Sequence, residues 1–263
     1  MNLNELPTFA VVYILTLTGV FGLVMGSALN CLAYRMARQQ KWAGGRSVCT
    51  HCGHTLGALD LVPLLSWLLL KGKCRYCGEK ISWRYPAAEA LLAVCFMSIL
   101  WRFGLRFQTV SVLVFCGCLF CLSLVDLEIQ IIPDRFLLIP AVVRIVQLTV
   151  EGGLSGLWSG IWPGLVIGGG VLALSLVMDK ILHKDTMGGG DIKLLAVLGM
   201  FLSFPECLLM GVIACVAGIL IAMALQKAKP DTPFPFGPAL ALAGWVTLLF
   251  GAGIVGWYLG RFL

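Results

Sequence analysis

Charged and histidine side chains are scarce in this sequence, which excludes an ordinary soluble domain. Of 263 residues only 12% are charged and 59% are hydrophobic, whereas about a quarter of the residues of a soluble domain are charged. The mean hydropathy of +0.94 indicates a protein of the lipid bilayer. The sequence also lacks a glycine-rich nucleotide fingerprint, so no nucleotide cofactor site can be derived from it. Because no basic stripe alternates with aromatic residues, we expect no nucleic acid partner.

Apolar segments long enough to cross a membrane recur along nearly the whole chain. About 20 apolar residues cross the hydrocarbon core as a helix. The pattern predicts an all-α polytopic membrane protein with about eight transmembrane helices, of which the second, fourth and sixth are short for a full crossing. The predicted spans are 9–34, 86–101, 109–125, 136–150, 157–178, 192–204, 208–225 and 239–259.

The basic residues are distributed unevenly among the connecting loops. Nine of the nineteen lysines and arginines lie between the first two predicted helices, and cytoplasmic loops carry such an excess. This places the loop inside and the N-terminus outside, and alternation through eight spans puts fifteen basic residues inside and four outside. The sequence therefore predicts a first transmembrane helix at 1–35, a cytoplasmic loop at 36–85 and a helical membrane domain at 86–263.

Four of the eleven cysteines form two C-x-x-C-G motifs within this loop. The first contains Cys49 and Cys52, and the second contains Cys74 and Cys77. Two residues between a pair of thiolates let both bind one metal ion, and four thiolates complete the tetrahedron of a structural zinc site. A pair of disulfides is the alternative, but disulfides are rare in the reducing cytoplasm. We therefore expect the loop to hold Zn²⁺.

Two aspartates lie at the ends of predicted spans on one membrane face. Asp126 follows the third span and Asp191 opens the sixth, so the topology brings both to the cytoplasmic side. Carboxylates at membrane depth are costly and commonly functional. Two neighbouring carboxyls do not both ionise readily, so one can draw a proton from water while the other donates a proton to a peptide carbonyl. The pair predicts an aspartic protease.

Each aspartate also has a structural explanation. Asp191 is suited to a helix N-cap, and Asp126 to a solvated position just beyond a helix end. The joint placement of the two favours catalysis, and so does the run of Gly188, Gly189 and Gly190 before Asp191. Three glycines remove side-chain bulk where an extended substrate backbone would approach.

Six ordered motifs together resemble the type IV prepilin peptidases, which are bacterial aspartic proteases of the G-x-G-D class. The resemblance covers nearly the whole chain and implies that Asp126 and Asp191 are the catalytic pair. The motifs are Gly26-Ser27-Ala28-Leu29-Asn30 with Arg35, the two cysteine pairs, Arg84-Tyr85-Pro86-Ala87-Ala88-Glu89, Asp126 through Pro133-Asp134, Gly188 to Asp191, and Pro235-Phe236-Gly237-Pro238.

The resemblance implies further properties. Members of this family cut basic leaders from prepilins and from type II secretion pseudopilins at the cytoplasmic face of the bacterial inner membrane. Many also methylate the new N-terminus with S-adenosylmethionine, an activity associated with the cytoplasmic loop. Arg84 and Glu89 match the motif at the loop exit, where they are expected either to serve methyl transfer or to order the loop. An interfacial salt bridge between them is the alternative.

Two other functions compete with this interpretation. An ion- or proton-coupled transporter would use Asp126, Asp191 and Glu89 as a relay, but it would be expected to show an internal repeat, and the cysteine loop and the glycine-aspartate segment each occur once. A noncatalytic scaffold would dock partners through its zinc loop, and mutation of an aspartate would leave pilin processing unchanged. The sequence gives no indication of oligomeric state.

Overall fold

The computed structural model describes residues 3–41, 45–184, 187–228 and 235–262, and this part of the chain is almost entirely helical. All of its helices except α2 and α6 are long and apolar enough to span a membrane. The predicted all-α polytopic membrane fold is therefore confirmed. The α-helices of the described ranges are α1 (Thr8–Ala37), α2 (Leu65–Leu69), α3 (Arg84–Phe103), α4 (Phe107–Ile129), α5 (Arg135–Leu182), α6 (Gly189–Gly199), α7 (Phe204–Ala228) and α8 (Gly237–Phe262).

The chain forms two compact units, and the first, Met1–Arg106, is built on the pairing of α1 with α3. Small residues of α1 let the two backbones approach closely. A Cβ on Gly22 would lie 2.6 Å from Cα of Ala93, and one on Gly26 would lie 2.9 Å from Cα of Glu89. Glycine at helix contacts is typical of membrane proteins, in which van der Waals packing drives helix association. The long loop of this unit, between α1 and α3, contains both cysteine motifs.

The second unit, Phe107–Leu263, contains α4 to α8. Here α4 packs against α5 and α8, α6 packs mainly against α5, and α7 packs against α8. Its centre is filled by apolar side chains, and the outer faces of the helices expose many more. Such outer faces suit contact with lipid tails, which are as apolar as the side chains themselves. The side chains of this unit that are buried most completely include Phe115, Leu122, Leu194, Leu198, Met210 and Leu240.

The helix α5 is interrupted and accounts for two of the predicted spans. Its 48 residues would extend over about 72 Å as one straight helix, more than twice the hydrocarbon thickness. Gly153 has non-helical angles, φ 58° and ψ −149°. The side chain of Leu148 contacts Gly160, which a straight helix would place about 18 Å further along. The chain therefore folds back at Gly153, and the segments 135–152 and 154–182 correspond to the fourth and fifth predicted spans.

Candidate active site and metal site

Asp126 lies in the last turn of α4, which continues to Ile129, and the residue is only 5% exposed. The alternative of a solvated aspartate beyond a helix end is therefore wrong. Oδ2 of Asp126 accepts a 2.9 Å hydrogen bond from the backbone N–H of Gly237, the first residue of α8. The first N–H groups of a helix have no partner within the helix. The N–H of Gly237 donates to Asp126 instead and so fixes the direction in which that carboxyl group points.

Asp191 lies in the first turn of α6, and its carboxyl is within electrostatic range of Asp126. The N-cap of α6 is Gly188, whose carbonyl accepts the backbone N–H of Asp191 at 3.0 Å. The N-cap explanation for Asp191 is therefore wrong. In the second unit, the two carboxyls that the sequence singled out are thus near enough for their charges to interact.

The three glycines before Asp191 differ in their surroundings. A Cβ on Gly188 would lie 3.2 Å from Oδ2 of Asp191, and one on Gly190 would lie 3.0 Å from Cβ of Ile132. A Cβ on Gly189 would meet nothing within 4 Å. Gly188 therefore leaves room for the Asp191 carboxyl within the same turn, Gly190 lets the turn approach Ile132, and Gly189 faces open space. A role of the three glycines in substrate approach stays a prediction.

A cavity of about 500 Å³ borders Asp191. Its other lining residues are mainly apolar and come from the C-terminal part of α5, from the segment before α6 and from the residue that precedes α8. A carboxyl on the wall of a mainly apolar cavity is a common arrangement in binding sites. The lining residues are Val171, Leu174, Ser175, Met178, Met187, Gly188, Asp191 and Phe236.

Lys193, two residues after Asp191, pairs with a different aspartate. Its Nζ lies 2.8 Å from Oδ1 of Asp134, and both side chains are more than half exposed. Exposed ion pairs contribute little to stability. Asp134 occupies the N-cap position of α5 but makes no capping hydrogen bond with its side chain. This surface pair therefore lies outside the pair formed by Asp126 and Asp191.

The four loop cysteines surround a common centre. Their sulfur atoms lie within 4.8 Å of one another, Sγ of Cys49 is 3.9 Å from Sγ of Cys77, and none of the four forms a disulfide. Zinc–sulfur bonds of about 2.3 Å in a tetrahedron place sulfur atoms about 3.8 Å apart. The spacing therefore fits a tetrahedral metal ion with four thiolate ligands.

Both cysteine motifs turn in the same way around this centre. In each, the glycine after the second cysteine donates its N–H to the carbonyl of the first cysteine at 3.0 Å, with φ 69° at Gly53 and 72° at Gly78. Backbone N–H groups of Cys52 and His51 lower the pKa of the Cys49 thiol to about 6. The thiolate is the form that binds a metal. These N–H groups therefore favour the metal-binding form of Cys49.

Asp60 ties the two motifs together, a role that the sequence analysis missed. Its carboxylate accepts hydrogen bonds from the backbone N–H of Gly57 at 3.0 Å, from Nε of Arg75 at 2.7 Å and from the hydroxyl of Tyr76 at 3.1 Å. The Tyr76 ring lies on the ring of His54, with 3.6 Å between centroids. These contacts, first of all the Gly57 N–H, lower the pKa of Asp60. The available signal was a carboxylate within an apolar stretch between two metal-binding motifs.

Glu89 connects α3 to the loop. It is 8% exposed, and its Oε2 accepts a 2.8 Å hydrogen bond from the backbone N–H of Leu64, which precedes α2 with an unusual φ of 59°. Glu89 thus holds the entry of α2 in a conformation that leucine rarely adopts. Arg84 is exposed at the first position of α3. The contact favours the loop-ordering role for Glu89, and methyl transfer stays a prediction for both residues.

Glu89 also lines a cavity of about 870 Å³ within the first unit, a size within the usual range for small-molecule sites. The cavity combines aromatic and basic side chains near Cys49 and Cys74, which also line it. Among its lining residues are Tyr34, Arg35, Arg38, Arg46, Trp67, Lys80 and Tyr85.

These features define a polytopic helical membrane protein with a carboxylate pair in one unit and a four-cysteine metal site in the other. Residues 20–103 match the bacterial peptidase A24 N-terminal domain, and residues 113–223 match the type IV leader peptidase family. The chain belongs to the type IV leader peptidase family, which confirms the resemblance. No solved structure matches it.

Several curated relatives are similar over nearly their whole length. The prepilin leader peptidase/N-methyltransferase of Stutzerimonas stutzeri is 34% identical, over 91% of this chain and 92% of that protein. The protein of the same name from Pseudomonas putida is 33% identical, over 91% of each chain. The Bacillus subtilis protein is 32% identical, over 93% of this chain and 98% of its own length. These similarities give no support to the transporter.

Proposed function

We propose that this chain is a membrane-embedded aspartic endopeptidase that removes the leader of prepilins or of type II secretion pseudopilins, and that it also N-methylates the new terminus. The proposal depends on one observation above all, the electrostatic interaction of Asp126 with Asp191, which lines a cavity within the second unit. Family membership supports it, as do the names of the relatives.

In the proposed cleavage, one carboxyl of the pair is ionised and the other is protonated. The ionised group takes a proton from water as the water oxygen attacks the scissile carbonyl carbon, while the protonated group donates to the carbonyl oxygen. A gem-diol forms. Its collapse transfers a proton to the amide nitrogen, breaks the C–N bond and releases the leader as a carboxylic acid. The hydrogen bond from Gly237 holds Asp126 in place during these steps.

The proposed location is the bacterial inner membrane, with the N-terminus outside and the active site at the cytoplasmic face. The uneven distribution of basic residues supports this orientation. A substrate with its leader in the cytoplasm and its apolar helix in the bilayer would present the bond between them at the same level.

The first unit is proposed to bind the methyl donor. When bound, S-adenosylmethionine would supply an electrophilic methyl group to the free amine. Aromatic faces attract a sulfonium cation and arginines attract a carboxylate, and the cavity that Glu89 lines provides both kinds of side chain. Zinc at Cys49, Cys52, Cys74 and Cys77 would have a full set of protein ligands, so its role is structural.

The test uses purified protein and a prepilin peptide that contains the leader and the apolar helix, with S-adenosylmethionine present and products weighed by mass spectrometry. We expect Asp126→Asn and Asp191→Asn to lose cleavage by at least about a thousandfold, while both still methylate a pre-cleaved peptide. The matched control is Glu206→Gln, because Glu206 accepts hydrogen bonds from Ser203 at the start of α7 and glutamine can accept them too. Undiminished cleavage by either aspartate variant would overturn the mechanism.

A further inference from the structure

We propose that Arg144 is a positioning residue for the Asp126 and Asp191 pair, acting from the opposite end of the helices that carry them. This inference rests on the proposed peptidase function. It concerns a polar cluster of the second unit, formed around Arg144, that contains neither of the two carboxyls.

Arg144 lies on α5 and is 9% exposed. Its Nε donates a 3.0 Å hydrogen bond to the carbonyl of Met200, the C-cap of α6, and one of its terminal nitrogens donates to Oε1 of Gln147 at 2.7 Å. The last carbonyls of a helix have no partner within the helix, and a cation there also interacts favourably with the helix dipole. Arg144 therefore fixes the end of α6 opposite Asp191.

The cluster around Arg144 also contains side chains of α4. Oε1 of Gln147 also accepts a 2.7 Å hydrogen bond from the hydroxyl of Ser111 on α4. Phe201, just after α6, stacks on Phe115 of α4 with ring centroids 4.1 Å apart and planes 4° apart. The guanidinium of Arg144 lies 5.1 Å from the centre of the Phe201 ring. One arginine thus joins side chains of α4 and α5 to the end of α6.

The aromatic pair of the cluster lies at nearly the same distance from the two carboxyls, measured along α4 and along α6. From Phe115 to Asp126 is 11 residues along α4, and from Asp191 to Phe201 is 10 residues along α6 and its last turn, which correspond to about 16 Å and 15 Å at 1.5 Å per residue. The helices therefore run in opposite directions between the cluster and the carboxyls. A shift of α6 along its axis at the cluster would move Asp191 relative to Asp126 by the same amount.

The backbones of α5 and α6 are in close contact, so a small axial shift of α6 would be felt along the whole pair. A Cβ on Gly164 would lie 2.3 Å from the carbonyl oxygen of Ala196, and one on Gly199 would lie 2.5 Å from Cα of Gly164. Such a contact of backbones sets the distance between the two helices, and buried side chains of α6 such as Leu194 and Leu198 pack it into the core. The hydrogen bond from Arg144 to Met200 adds a directional constraint on the axial position of α6 at the end opposite Asp191.

The test compares Arg144→Met and Arg144→Lys with the wild-type enzyme. Methionine retains length but removes every donor, whereas lysine retains the charge without the planar fork that reaches two acceptors. A displacement of about 1 Å can reduce a rate about a hundredfold. We expect Arg144→Met to lower kcat for cleavage by at least about tenfold with KM within about twofold, and Arg144→Lys to recover part of the loss.

Two further measurements distinguish positioning from general destabilisation. Met210→Ala, in a fully buried position of α7, supplies a variant of lowered Tm in which no residue of the cluster is replaced, and its kcat per folded molecule should stay near wild type. Separated carboxyls repel less, so the two limbs of the kcat–pH profile should move closer together in Arg144→Met and not in Met210→Ala. Should Arg144→Met not fold, Arg144→Lys and Gln147→Met are tested in its place.

The inference is overturned if kcat and the pH profile of the Arg144 variants equal those of wild type, or if Met210→Ala reproduces both changes. The Asp126→Asn variant, assayed alongside, separates this failure from failure of the proposed function. If Asp126→Asn is inactive and the Arg144 variants are normal, only the positioning role is wrong. If Asp126→Asn still cleaves, the peptidase mechanism itself is wrong.

Discussion

No side chain fits between Gly237 and Asp126. The backbone N–H of Gly237 donates to Oδ2 of Asp126 at 2.9 Å, and a Cβ on Gly237 would lie 2.7 Å from that same oxygen. The two residues are 111 positions apart in the chain. The motif Pro235-Phe236-Gly237-Pro238 thereby gains a physical role, because it delivers the first N–H of α8 to a candidate catalytic carboxyl.

Gly237→Ala is expected to reduce cleavage strongly. The added methyl group would push the Asp126 carboxyl aside, and a misplacement of about 1 Å can cost about a hundredfold in rate. Single-turnover cleavage of the prepilin peptide measures the effect. Gly253→Ala is the matched control on the same helix, because a Cβ there meets nothing within 4 Å. Equal rates for the two variants would contradict the role given to Gly237.

Removal of the metal should unfold the loop of the first unit. Four thiolate ligands bind zinc with a free energy of about 10–16 kcal/mol in small zinc sites, and that binding energy is also folding energy. Elemental analysis of the purified protein should find one zinc per chain, and Cys52→Ser should lose it. Cys215→Ser, on α7, should retain it. A Cys52→Ser protein with full zinc content would show that Cys52 is not a ligand.

Asp60→Asn should release zinc faster than wild type, because the amide weakens the charged hydrogen bonds to Arg75 and Tyr76. Folding lowers the pKa of Asp60, so its stabilising effect is complete above its unfolded pKa of about 4 and is lost only as the pH falls through the lower folded pKa. The difference between variant and wild type should therefore be constant near neutral pH. Transfer of zinc to a coloured chelator measures the release rate. Equal release rates for Asp60→Asn and wild type would show that the contacts of Asp60 do not stabilise the metal site.

Variants of Glu89 separate its two predicted roles. Glu89→Gln retains an acceptor for the Leu64 N–H, whereas Glu89→Ala leaves that N–H without it, at a typical cost of about 1–3 kcal/mol. A loop-ordering role predicts near-normal methylation by Glu89→Gln and at least about a tenfold loss in Glu89→Ala. The assay is methyl incorporation into a pre-cleaved peptide. Equal loss in both variants would instead indicate that the carboxylate itself takes part in methyl transfer.

The helices could be located from the sequence, but not all of their ends could be predicted from it. Apolar length located every spanning helix, and the break at Gly153 falls between two predicted spans. The third span was predicted to end at 125 because a charged residue follows. In the structure α4 continues to Ile129, and the buried Asp126 accepts a hydrogen bond from the first N–H of α8. That partner is distant in the chain, so local pattern does not predict it.

Asp126 and Asp191 follow from their predicted place on one membrane face, and in the structure their carboxyls are near enough to interact electrostatically. Their catalytic role stays a prediction. The start of α6 at Gly189 was missed because three glycines are typical of a loop. Asp60 and Arg144 were missed as well, because their partners are set by tertiary packing rather than by spacing.

The distribution of the cysteines makes the number of reactive thiols per chain a measure of metal occupancy. Six thiols outside the metal site are buried or partly buried, and Cys215 is exposed on a helix face, while Cys52 and Cys77 are exposed within the cluster. A thiol reagent should therefore modify few positions in the metal-bound protein and gain the loop cysteines when the metal leaves. The number of labels per chain then counts empty sites directly, without any assay of enzymatic activity.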